Sequence, residues 1–186
     1  MTTMRVLGID PGTQLAGWAV VDRQPDGACR YVASGVLRLG RSPEPIPARL
    51  AALHRGLEDL FDEHAPQALA LEGAFFGLNA RSALRLGEAR GVVLLAAAAR
   101  DCPVREIPPA TVKARVAGAG QASKEQVQRL VGMHLVDAPE EFASADEADA
   151  LAIALCLLLE PAQAGEEAGR RPSRGSSKLP PGARFQ

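Results

Sequence analysis

Hydrophobic and polar positions along this chain switch between two periods, and the switches mark its elements. Residues 5–10, Arg5-Val6-Leu7-Gly8-Ile9-Asp10, form a short apolar run that predicts a strand ending in an acid. Pro11-Gly12-Thr13 then supplies turn chemistry, since proline sets one dihedral and glycine accepts a positive one. Runs over 16–22 and 30–39 predict two further strands across the turn-rich Pro25-Asp26-Gly27, giving an antiparallel meander. After Pro47 the spacing turns helical, with Leu50, Leu53, Leu57, Leu60 and Phe61 recurring at three and four. Residues 68–72 are a compact apolar run that reads as a buried strand, again ending in an acid. A long helix is expected over 80–100, a short strand over 104–107, helices over 110–116 and 124–136, and a last helix over 143–159. The order implies an α/β domain over 1–160 with a central mixed five-stranded sheet, three antiparallel strands plus two parallel ones, flanked by helices. From Pro161 onward Pro, Gly, Ser, Arg and Ala dominate, which predicts a disordered tail over 161–186.

Length and composition narrow this picture. A chain of 186 residues is long enough for one domain with a proper core and too short for two comfortable ones. It is 47% hydrophobic and 23% charged, and no apolar run approaches bilayer length, so no membrane role is expected. Cys29, Cys102 and Cys156 are scattered and odd in number, which points to buried thiols of a reduced, cytoplasmic compartment. The net charge of -1 conceals a division: nine basic residues stand against four acidic ones between Arg81 and Arg129. No lysine or arginine follows from Leu130 to Gly169, where Asp137, Glu140, Glu141, Asp146, Glu147 and Asp149 lie. A phosphate-gripping surface beside a cation-holding site would look like this, and so would chance clustering on solvated faces.

The candidate chemistry lies in the acids. Asp10 could be a turn-initiating aspartate and Glu72 an exposed strand-end glutamate. Two acids at the carboxyl ends of buried strands, however, stand where open α/β sheets place their ligands. In the last helix Asp146 and Asp149 are three apart and share a face that continues into Ile153, Cys156 and Leu157, the inward side. Glu147 should point away into solvent. Capping explains one acid of that pair and not both. Four converging carboxylates would repel unless cations joined them, and hard oxygen donors favour Mg²⁺ or Mn²⁺ over zinc. Phosphodiester hydrolysis is the chemistry that uses two such ions.

Several segments in order resemble the RuvC family: Leu7-Gly8-Ile9-Asp10-Pro11-Gly12-Thr13, Leu71-Glu72, and Asn79-Ala80-Arg81-Ser82-Ala83-Leu84-Arg85-Leu86-Gly87. So do Ala89-Arg90-Gly91 and Ala145-Asp146-Glu147-Ala148-Asp149-Ala150-Leu151-Ala152-Ile153-Ala154. The resemblance implies a ribonuclease H-like fold and a homodimer that resolves Holliday junctions by paired nicks, leaving 5′ phosphates and 3′ hydroxyls. It implies two Mg²⁺ or Mn²⁺ ions per site, held by Asp10, Glu72, Asp149 and Asp146. Lys113 and Lys124 match the family's basic residues near the cut strand, and Phe75 or Phe76 would stack on a base of the opened junction. Four-way junction DNA and the RuvA and RuvB branch-migration proteins are the implied partners, in recombination and repair.

Arg81, Arg85 and Arg90 on the long helix could track phosphates, with at least one of them structural. Gly87, Gly91 and the alanines at 96–99 suit close helix packing, as at a dimer interface. His54, His64 and His134 read as surface histidines. Other classes fit less well. Actin-like and sugar-kinase ATPases share the first motif but need a second domain and a second glycine-rich loop. The smaller RuvC-like resolvases of RNA processing match the segment from Asn79 to Gly91 less well, and a non-cutting junction binder would lack one of the acids.

Overall fold

The computed structural model describes residues 2–41, 43–73, 79–118 and 123–160. The predicted meander is β1 (Met4–Asp10), β2 (Leu15–Arg23) and β3 (Cys29–Arg38), paired antiparallel. Helix α1 (Ile46–His64) returns the chain so that β4 (Ala68–Glu72) joins β1 in parallel. Helix α2 (Ala80–Ala99) does the same for β5 (Val104–Ile107) beside β4. Helices α3 (Pro109–Ala117), α4 (Lys124–His134) and α5 (Ala145–Leu158) complete the domain. The sheet has six strands, not the expected five, in the order β5-β4-β1-β2-β3-β6. The extra strand is β6 (Leu135–Val136), which pairs in parallel with Cys29 and Arg30. The helix expected over 124–136 therefore stops at His134, because its last two residues gain ladder bonds that local periodicity cannot reveal.

Two cores follow from strand alternation. Leu7, Ile9, Val20, Leu69 and Leu71 face α1 and α2, whereas Val6, Ala19, Val21, Ala68 and Ala70 face α3, α4 and α5. Arg100 fastens α2 to α1 through Asp62 at 2.6 Å and Glu58 at 2.7 Å. Proline opens α1 and α3 near their first positions, where its missing N–H costs nothing. A capping box of Ser123 and Gln126 opens α4, and the Ser144 side chain accepts from the Glu147 N–H at the start of α5.

Helix α5 is buried nearly all round and lies directly on β1 and β2. Two strand glycines allow this. A Cβ on Gly8 would fall 2.3 Å from the Ala150 carbonyl oxygen, and one on Gly17 would fall 2.0 Å from that of Asp146. No described helix is long and apolar enough to cross a membrane.

Candidate active site

Alternation along β1 sends Val6 and Gly8 toward α5, so Asp10 also faces α5. Along β4, Ala68 and Ala70 face the same way, and Glu72 continues that series. The parallel register pairs Ile9 with Leu71, which brings Asp10 and Glu72 side by side at the strand ends. Helix α5 then lays Asp149 across the same end. Asp10, Glu72 and Asp149 line one cavity of about 300 Å³ together with Lys113 from α3. Val112, Val127, Ala152 and Ile153 form its apolar wall. All four polar side chains are half-buried, so the charges meet at a rim and not in bulk water.

Asp146 does not line that cavity. It sits three residues earlier on α5, half-buried, with its carbonyl over Gly17, the register partner of Asp10. Lys124 is the first residue of α4, but its side chain is outside what is described. Phe75 and Phe76 also lie outside the described residues. The arginines of α2 divide. Arg81 is exposed, and Arg85 is half-buried and paired with Glu88 at 2.9 Å. Arg90 is buried, pairs with Glu106 at 2.6 Å and donates to the Glu72 carbonyl, so it anchors the end of β4 and is the structural one.

Two expectations are overturned. Glu147 is buried, not solvated: it accepts from the Ser34 hydroxyl on β3 and from the Ala143 N–H at 2.7 Å. A buried carboxylate is tolerable when hydrogen bonds satisfy it, and these tie the start of α5 to the sheet. His64 is also buried, its ring 5.7 Å from that of Trp18. The sequence reading missed Gly17, although a glycine inside an apolar strand is a recognised sign of close backbone approach.

The donors suit a hard divalent cation, being carboxylate oxygens with no histidine or cysteine among the cavity's lining. As they stand, no three described His, Cys, Asp or Glu side chains close on one point. The acids therefore approach a common space without collapsing together, as like charges should.

The family described as Crossover junction endodeoxyribonuclease RuvC matches residues 6–157. A protein of that name from Chloroflexus aggregans is 45% identical over 157 residues, covering 82% of this chain and 92% of its own length. One from Dehalococcoides mccartyi is 42% identical over 153 residues, covering 82% and 90%. Among solved structures, Thermus thermophilus RuvC in complex with Holliday junction substrate is similar with a TM-score of 0.76 and 35% identity, covering 82% of this chain and 92% of that one. The yeast mitochondrial Holliday junction resolvase Ydc2 shares the fold, with a TM-score of 0.62 and 18% identity.

Proposed function

This chain belongs to the RuvC family of crossover junction endodeoxyribonucleases, and from that we propose that it resolves Holliday junctions by hydrolysing one phosphodiester in each of two opposed strands. The observation that supports this most is the meeting of Asp10, Glu72 and Asp149 in one cavity beside Lys113. Asp10, Glu72 and Asp149 would hold divalent cations, Mg²⁺ or Mn²⁺ and two per site, with Asp146 completing the set from one turn away. Such ions, when bound, lower the pKa of an attacking water and stabilise the leaving oxygen, which gives 5′ phosphate and 3′ hydroxyl ends. Asp10, at the end of β1 beside Glu72 at the end of β4, would contribute to holding both ions. Lys113 offers a fixed positive charge to the cut phosphate, and Lys124 is expected to do the same from the start of α4. The apolar wall of Val112, Val127 and Ile153 keeps water from screening these charges.

A four-way junction offers two equivalent strands, which a two-fold dimer matches. Helix α2 carries the surface for a second copy. Leu84 and Leu95 are each 63% exposed, and Gly87 and Gly91 between them face open space at three- and four-residue spacing. Phe75 or Phe76, in the loop before α2, would then stack on bases at the opened centre of the junction. RuvA and RuvB would deliver the junction, in the cytoplasm.

The decisive experiment is cleavage of a mobile synthetic four-way junction with Mg²⁺ or Mn²⁺, beside a linear duplex. Wild type should make symmetric nicks in the junction and spare the duplex, while Asp10→Asn, Glu72→Gln and Asp149→Asn should bind without cutting. Equal cutting of duplex and junction would refute the junction assignment. Undiminished cutting by all three variants would refute the site.

A further inference from the structure

We infer that the cavity on the α2 side of the β1–β2 turn is a second phosphate subsite, holding a phosphodiester of the same DNA strand beside the one that is cut. This rests on the junction-nuclease reading above. The cavity measures about 370 Å³ and is lined by Gly12, Thr13, Arg81, Ser82, Arg85 and Leu86. Among the described residues its lining brings two guanidinium groups and no carboxylate, whereas the cavity across the turn brings three carboxylates and one lysine. The two sites thus have opposite chemistry. One suits cations, and the other suits an anion.

Every polar side chain that lines this second cavity is a donor or can act as one. Arg81 is exposed and makes no ion pair among the described residues. The Nη1 of Arg85 donates to both carboxylate oxygens of Glu88, at 2.9 and 3.1 Å, which steadies its planar fork on the helix. Thr13 and Ser82 add hydroxyls. The cavity also sits at the positive end of the 20-residue α2, capped where the Asn79 side chain accepts from the Ser82 N–H. Behind the turn stands a third arginine. Arg49, on α1, is 8% exposed, and its Nη1 donates to the Thr13 carbonyl at 3.4 Å. Its Nε is buried without an acceptor, and it has no carboxylate partner among the described residues. A buried cation left so lightly compensated gains from an anion arriving at the same turn.

Phosphate is the anion this set fits. Arginine forks match phosphate oxygens in pairs, and no aromatic ring among the described residues lines the cavity to stack a base. The location fits a strand already engaged by the carboxylates. Gly12 and Thr13 stand two and three positions after Asp10, a reach of at most about 7–11 Å. A phosphate gripped here fixes the strand's register, so that the scissile linkage falls on Asp10, Glu72 and Asp149. Contacts of this kind position without reading sequence.

The test pairs neutral linkages with neutral side chains. Four-way junctions carrying one methylphosphonate at each linkage flanking the cut are bound, without divalent metal, by wild type and by the double variant Arg81→Gln/Arg85→Gln. Wild type should lose about tenfold in affinity at one linkage other than the scissile one, as expected for a lost charge-assisted pair. The double variant should bind the unmodified junction more weakly and lose nothing further at that linkage. Its plot of log affinity against log salt should be shallower by roughly 0.9 for each phosphate contact removed. If methylphosphonate and arginine losses multiply independently at every linkage, the subsite is refuted. Failure of the nuclease reading shows separately, as wild type that leaves an unmodified junction uncut with Mg²⁺ and Mn²⁺.

Discussion

Replacing Gly17 with alanine tests how the site is assembled without touching any of its carboxylates. The new Cβ would lie 2.0 Å from the Asp146 carbonyl oxygen and 2.5 Å from its carbon. Ordinary contact begins at 3.4 Å, so the start of α5 must retreat from β2 by about 1.4 Å. Both atoms it meets are backbone, and no side-chain rotation relieves the clash. Overpacking of this kind costs about 1–3 kcal/mol. For a domain of this size that lowers Tm by roughly 2–12 °C. The catalytic loss should be larger in proportion, because α5 carries Asp146 and Asp149 while β1 carries Asp10. Misplacing catalytic groups by about 1 Å costs on the order of 100-fold in rate. Single-turnover cleavage of a four-way junction, measured well below the variant's Tm, should therefore fall about 100-fold while junction binding persists. Gly132→Ala is the control, since open space surrounds that helical position. It should gain about 0.4–1 kcal/mol and leave the rate unchanged. A Gly17→Ala protein that cuts at the wild-type rate would refute the claim that the contact of α5 with Gly17 sets the geometry.

Arg90→Met removes both the Glu106 pair and the hold on the Glu72 carbonyl. Thermal unfolding should show a loss of about 1.5–3 kcal/mol, with slower cutting, and Arg90→Lys should recover part of both; unchanged stability would mean Arg90 does not anchor β4. Leu95→Glu places a charge on the exposed face of α2 and should convert a dimer to a monomer in sedimentation experiments, whereas an unaltered sedimentation coefficient would remove that face from the interface. Burial pushes the thiols of Cys29, Cys102 and Cys156 above their ordinary range, with nearby Arg23 and Arg115 partly opposing it at Cys29 and Cys156. Their stabilising contribution is complete below the ordinary thiol pKa and is lost as pH climbs toward the raised native values, because unfolded thiols ionise first. Replacing all three with alanine should flatten the fall of Tm between pH 8 and pH 10, and an unchanged fall would show that the thiols contribute nothing to it.

Where a local pattern and the tertiary fold agree, the sequence sufficed. The strands over 68–72 and 104–107 were legible to the residue, because the apolar run from Ala68 ends sharply at Glu72 and Pro103 and Pro108 bracket Val104–Ile107. Asp10 and Glu72 stood out because each closes a buried strand, and their shared face follows from alternation once the parallel register of β1 and β4 is known. What stayed hidden depends on partners distant along the chain. Glu147 is drawn inward by Ser34, 113 residues earlier, and no helical pattern in 143–159 can show that. Strand β6 exists only through Cys29 and Arg30. Arg90 looked like its neighbours Arg81 and Arg85 until Glu106 and the Glu72 carbonyl appeared beside it. Gly87 and Gly91 suggested close helix packing, yet both face open space among the described residues, so no packing within the chain accounts for them.

The division of the carboxylates between strand ends and α5 also governs when the protein can act. Asp10 and Glu72 are translated early, but Asp146 and Asp149 belong to the last described helix. A chain emerging from the ribosome therefore carries only the strand-end half of the proposed ligand set through most of its synthesis. Only when α5 has left the exit tunnel and settled over Gly8 and Gly17 does Asp149 join Asp10 and Glu72 at one cavity, with Asp146 one turn away. A fragment that stops short of α5 is therefore expected to cut no junction, since it carries no more than Asp10 and Glu72 of the proposed set.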